Sequence, residues 1–241
     1  ILITLISSVV LDLYLFTKGI GGSSIFLVLF PTVMSILYTV DVIKMYGDDI
    51  NKKSGYMLFM TPNSGYKIIV SKLITAVIEG LAILLIFFIF ILINGSYINY
   101  LSGVNINFND IVYMVNRLMT GNLGINLGHI LTFSLTGLLI LISFFTTVYT
   151  AMTIRKSIFS EMKFGGVLSF AIFLLLNWGI SRLSSWILDT LPSSYNSFIF
   201  SDLYTASEWF RMLLPANALS IIQSIILTLC SGYLLEKKIN L

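Results

Sequence analysis

Charge is what this chain lacks most. Asp, Glu, Lys and Arg make up 10% of its 241 residues, where a soluble domain carries about 25%. With 57% of residues hydrophobic, so few polar groups cannot wet the surface, and lipid must be the solvent for most of the chain. The mean hydropathy of +0.95 agrees. One cysteine, Cys230, excludes an intramolecular disulfide and a cysteine-rich metal site. One histidine, His129, cannot by itself make a zinc site. A net charge of +3 is too small for a nucleic-acid footprint, so no nucleic-acid partner is expected. The chain has no HExxH and nothing resembling G-x-x-x-x-G-K-[ST], so it holds neither a zincin site nor a nucleotide-binding loop. It opens ILITLISSVV, without the basic n-region or small-residue cleavage site of a signal peptide. A short basic, amphipathic segment is expected to precede it at the cytoplasmic surface.

What the chain does have is long apolar runs. A spanning helix needs about 20 mostly apolar residues. Six stretches meet or approach this: 1–16, 24–45, 68–93, 130–152, 165–188 and 216–235. Alternation at period 2 is missing, which speaks against a β-barrel. The expected fold is all-α, a polytopic membrane protein with six transmembrane helices in a single domain over 1–241. Ten basic residues (Lys44, Lys52, Lys53, Lys67, Lys72, Arg155, Lys156, Lys163, Lys237, Lys238) fall on one side of that topology. Four (Lys18, Arg117, Arg182, Arg211) fall on the other. The positive-inside bias places both termini and the 46–67 and 153–164 loops in the cytoplasm.

Two outer connectors carry helical stripes. In the first, Phe108, Ile111, Val112, Val115, Leu118 and Met119 share one face, which predicts an amphipathic helix before span four. In the second, Leu203, Ala206, Phe210 and Leu213 do the same, with Ser201 as cap and Pro215 as stop. That predicts a separate helix dipping into the outer leaflet before span six, with Tyr204 and Trp209 as interface anchors.

The most informative stretch is the connector NKKSGYMLFMTPNSGYKIIVSK, residues 51–72. Asp48 and Asp49 close the second span, and Lys52 and Lys53 follow. Tyr56, Met57, Leu58, Phe59 and Met60 then form one or two turns of apolar residues, broken by the turn signal Thr61-Pro62-Asn63-Ser64-Gly65. Its lysines suit lipid headgroups, and its apolar knob suits a cytosolic partner protein. The bland alternative is an interfacial loop whose lysines only set topology.

An acidic residue at the end of span two, Gly55, Leu58, Thr61-Pro62, Lys67 and then Ser71-Lys72 form an ordered pattern. The pattern resembles the permease subunits of ATP-binding-cassette transporters, in particular the type-2 membrane-subunit exporter family and its small peptide and drug exporters of Gram-positive bacteria. The resemblance covers the six-span layout and rests mainly on residues 48–72. It departs from the family in offering Asp where Glu is common. It implies a coupling helix built from Asp48, Asp49, Lys52, Lys53, Gly55, Tyr56, Met57, Leu58, Phe59, Thr61, Pro62 and Lys67, seated in a groove of a separate ATPase subunit. It also implies re-entrant helices before span six and a second permease copy or homologue as partner. ATP and Mg would bind in the partner, with no cofactor, metal or catalytic residue in this chain. The cargo would be an amphipathic or hydrophobic peptide, drug or lipid leaving through a bacterial plasma membrane.

Other polar residues are read against structural roles. Glu79, two turns past Lys72, is the candidate transport-pathway acid, or else one half of a structural pair with Lys44. Asp41 and Lys44 are read as an i,i+3 helix pair, and Arg182 as snorkelling. Pro31 predicts a kink, and His129 a surface position. Enzymatic work is set aside, because Asp12 and Asp41, the acids nearest to a dyad, fall at opposite membrane faces. Two further classes stay open: an importer-type permease without ATP coupling, and a membrane scaffold or regulator that transports nothing.

Overall fold

The computed structural model describes residue 14 and residues 23–51, 64–102, 127–159, 165–190 and 206–237. The predicted span at 1–16 (Tyr14 apart), residues 52–63 and the stripe at 108–119 lie outside the described residues. The described residues are all-helical: α1 (Ser23–Asn51), α2 (Gly65–Ser102), α3 (Leu127–Ile158), α4 (Gly165–Asp189) and α5 (Ala206–Lys237). Among the described residues, four segments are long and apolar enough to cross a membrane: Gly65–Phe87, Gly128–Ile158, Gly165–Asp189 and Glu208–Lys237. This is a helical membrane protein.

Three boundaries differ from the expected ones. The third span is expected to end near Ile93, yet α2 runs on through Asn94-Gly95 to Ser102. At about 1.5 Å per residue, its 38 residues outreach a hydrocarbon core of about 30 Å. One Gly and a few Asn cost about 1 kcal/mol or less apiece in a helix, and no proline intervenes. Pro215 is expected to stop a separate helix before the last span. It lies instead inside α5, which is continuous from Ala206. The segment 206–214 is therefore the first part of the last helix, not a re-entrant one. One missing N–H is tolerated when apolar residues on both sides favour a continuous helix. Pro31 likewise sits within α1, which continues past the expected end at residue 45 to Asn51.

The contacts divide the chain into two compact units, Ile1–Met45 with Ile74–Phe108, and Tyr46–Leu73 with Asn109–Leu241. In the first unit, α1 and α2 run antiparallel. The buried Tyr38 hydroxyl donates to the Ala76 carbonyl at 2.7 Å. Gly80 makes room for that ring, since a Cβ there would lie 2.9 Å from the Tyr38 hydroxyl.

In the second unit, α3 packs mainly on α5 and secondarily on α4. The aromatic core sits on the last turns of α1 and on α3. Tyr46 and Tyr149 stack with centroids 4.1 Å apart at 24°, and Phe145 stacks on Tyr149 at 6.4 Å. Tyr46, Phe145 and Tyr149 are all buried. α4 touches α3 through Phe173 and Phe144, yet none of its residues is buried. Val167, Phe170, Leu175, Trp178, Leu183 and Trp186 are each more than 60% exposed, a surface that only lipid or another apolar partner can cover.

The α3–α5 seam is polar. A hydroxyl has one proton, and the α3 threonines spend theirs on their own helix. Thr136 donates to the Thr132 carbonyl at 2.9 Å and Thr147 to the Ser143 carbonyl at 2.7 Å. Their lone pairs are left to accept from α5: Asn217 Nδ2 donates to Thr136 at 3.0 Å, and Gln223 Nε2 to Thr147 at 3.1 Å. Thr150 shares its proton between the Thr146 carbonyl at 2.7 Å and the Leu227 carbonyl of α5 at 3.3 Å. The pairings rise together along both helices, so α3 and α5 run parallel. Edge-to-face packing of His129 on Trp209, centroids 6.1 Å apart, joins their first turns. Interhelical bonds of this kind are worth about 0.6 kcal/mol on average, with a maximum near 1.7. Gln223→Leu is expected to destabilise the protein within that range, as measured by steric trapping in bilayers. It should be less than additive with Thr147→Val, because both remove one bond.

Candidate functional site

One end of the second unit gathers both flanks of the lysine-bearing connector. Each flank is held differently, and the reason lies in its local sequence. On the incoming side, the last turns of α1 lie against the last turns of α3. The Tyr46 hydroxyl meets Thr153 Oγ1 at 2.6 Å. Thr153 already donates to the Tyr149 carbonyl at 2.8 Å, so Tyr46 is the donor. At the next residue, a Cβ on Gly47 would meet the Met152 side chain at 3.8 Å, an ordinary contact that an alanine could make. At the tip, Arg155 donates from Nη1 and Nη2 to Asn51 Oδ1 at 3.3 and 3.0 Å. Its Nε reaches Ser169 Oγ on α4 at 3.4 Å. Asn51 is oriented by its own amide, which donates to the Gly47 carbonyl at 2.8 Å. Ser169 donates to the Gly165 carbonyl at 3.0 Å. A Cβ on Gly165 would overlap Arg155 Nη2, so the guanidinium could keep this position only over a glycine and would have to swing aside for any other residue.

On the outgoing side, α2 begins at a close crossing with the end of α5. The Gly65 N–H donates to Glu236 Oε1 at 3.0 Å, so a carboxylate from another helix caps one of the orphan donors of α2. Ser64 Oγ accepts from the Lys67 N–H at 3.5 Å in the usual N-cap position. The Tyr66 ring lies over Gly232, where any side chain would collide with it. The two flanks are joined by an ion pair between Lys72 and Asp49, both only partly exposed.

The ends of α1, α3 and α5 and the starts of α2 and α4 therefore share one end of this unit. Helix ends carrying Lys67, Lys72, Arg155, Lys156 and Lys237, assigned to one membrane side by the positive-inside rule, meet there.

Of the residues singled out in sequence, Asp49 sits in the ion pair with Lys72. Asp48 lies beside it on the last turns of α1, and Lys67 is exposed on the first turn of α2. Lys52, Lys53, Gly55, Tyr56, Met57, Leu58, Phe59, Thr61 and Pro62 lie outside the described residues. In the first unit, Glu79 lies near the Asp41 carboxyl. Its neighbour is thus Asp41 where the sequence pointed to Lys44. The register of the antiparallel helices explains this: Tyr38 faces Ala76 and Gly80, so the next residue facing α2, Asp41, falls opposite Glu79. Lys44 lies three residues further on.

Arg155 as a junction, with Asn51, Gly165 and Ser169 as its seat, is not foreseen from the sequence, nor is Glu236 as a cap. In one dimension Arg155 is only a topology signal, and nothing local marks a residue whose partners lie 14 and 104 positions away. Among the described residues, no group of three or more His, Cys, Asp or Glu could hold a metal ion. No protein-family model matches the chain, and neither the curated proteins nor the solved structures contain a match to it.

Proposed function

We propose that this chain is the membrane-spanning permease subunit of an ATP-driven exporter of the ATP-binding-cassette class. It would move amphipathic or hydrophobic cargo, such as a peptide, drug or lipid, out of a bacterial cell. One observation carries the reading: the lysine-flanked connector leaves α1 and re-enters α2 at an end where both flanks are tied to three other helices. A push on the connector by a cytosolic ATPase would then act on α3, α4 and α5 without an intervening soluble domain. The ordered residues Asp48 or Asp49, Gly55, Leu58, Thr61, Pro62 and Lys67 support the same reading by their resemblance to a coupling helix. In this reading the protein works as a pair of permeases with two ATPase subunits, which bind ATP and Mg, and its own work is transmission.

Leu58→Asp and Phe59→Asp test it. A buried unpaired carboxylate in a protein groove costs several kcal/mol, so each variant is expected to lower stimulation of the co-reconstituted ATPase at least about tenfold. Insertion and thermal stability of the permease itself should be unchanged. Undiminished stimulation would remove these residues from the interface. An ATPase that neither binds nor responds to the wild-type chain would favour the scaffold reading.

A further inference from the structure

We infer that the contact of Arg155 with Asn51 is a releasable latch, holding the end of α1 to α3 and α4 while the start of α2 stays fixed on α5. What displaces the latch rests on the reading of this end as the site where an ATPase pushes; the latch itself does not. The two flanks differ in kind. On the α2 side, backbone lies on backbone: a Cβ on Gly65 would stand 2.8 Å from the Gly232 carbonyl oxygen and 2.9 Å from Leu235 Cβ. Such a crossing has no side chain that can swing aside, and the Glu236 cap reinforces it. On the α1 side, Tyr46 and the Asp49–Lys72 ion pair hold the turns before the tip, and beyond them the tip is held by the one oxygen of Asn51. Both terminal nitrogens of Arg155 converge on Asn51 Oδ1, and its third bond goes to a serine hydroxyl. Each of these acceptors is neutral, and Asn51 is exposed, so water can replace the amide oxygen at small loss. A guanidinium with five donors is matched to a carboxylate, yet the site offers it an amide. The contact is therefore strong enough to set a geometry and weak enough to let go. Ser169 and Gly165 keep the guanidinium aimed at Asn51, which makes Arg155 a positioning residue shared by three helices.

The test exploits the neutral acceptor and the two lysines that directly follow it. Asn51→Asp supplies the matching carboxylate and locks the latch, while Asn51→Leu removes the acceptor. In lipid nanodiscs, tryptic cleavage after Lys52 and Lys53, followed by mass spectrometry, reads release of the α1 tip. Asn51→Asp is expected to slow it about threefold, in keeping with a partly exposed ion pair. Asn51→Leu is expected to speed it. In an Arg155→Gln background, Asn51→Asp is expected to change nothing. With the ATPase present, Asn51→Asp should raise the thermal midpoint yet lower stimulated ATPase activity, opposite movements that a merely structural contact would not produce. Unchanged cleavage, or slowing that persists without Arg155, would overturn the latch. So would full stimulation in the slowed variant. A wild-type chain that stimulates no ATPase would instead refute the exporter reading, and the cleavage series would still decide the latch.

Discussion

Tyr149→Ala is expected to destabilise the protein by about 3–5 kcal/mol, the range for removing a fully buried aromatic side chain. Tyr149 is wholly buried. Its ring stacks with those of Tyr46 and Phe145, on the turn whose carbonyl accepts from Thr153. Truncation would leave both neighbouring rings without this stacking partner, and α1 would lose its ring stack on α3. Tyr149→Phe keeps the ring and is expected to retain most of the stability, which separates packing from the hydroxyl. Steric trapping or denaturant titration in mixed micelles measures both. A loss below about 1 kcal/mol for the alanine variant would mean that the aromatic cluster does not hold the second unit together.

Gly65→Ala is expected to cost about 2–4 kcal/mol, combining overpacking with loss of a hydrogen bond to a carboxylate. The added methyl would stand 2.8 Å from the Gly232 carbonyl oxygen and 2.9 Å from Leu235 Cβ. Backbone cannot rotate away as a side chain can. The helix ends must part, and the Glu236 cap at 3.0 Å goes with them. The control has the opposite sign. At Gly137, Gly166 and Gly179 an added methyl would find nothing within 4 Å. Alanine at Gly137 or Gly179, both inside helices, is expected to stabilise by up to about 1 kcal/mol. If Gly65→Ala behaves like these, the close crossing of α2 and α5 is wrong.

What can be read from the sequence follows from the range of the interactions concerned. Apolar runs of 20 or more residues report a bilayer through composition alone, so the helical membrane class and the positions of α1 to α5 are legible. Their ends are less so. Asn94-Gly95 and Pro215 are breakers in water, where exposed backbone can turn to solvent for hydrogen bonds. Both lie within continuous helices here. Lysine counting puts the right helix ends together, because charge placement is a one-dimensional signal. The pairings at that end are not legible. Asn51 meets Arg155 across 104 residues and Gly65 meets Glu236 across 171, and periodicity says nothing of such distances. The threonine seam is visible in principle. Thr132, Thr136, Thr147, Thr150 and Thr153 recur along an otherwise greasy run, the arrangement expected where a second helix bearing Asn and Gln lies alongside.

That seam limits how the molecule can move. Sliding α5 one turn, about 5.4 Å, toward the end of α3 would carry the amides of Asn217 and Gln223 from Thr136 and Thr147 to Ile140 and Ala151, whose side chains offer no oxygen. The opposite slide would bring them to Thr132 and Ser143. Rocking the two as one stiff plank leaves every pairing intact. A stroke that pulls α5 toward the end of α3 is therefore resisted as a shear, and rotation of the pair is the motion that breaks no pairing.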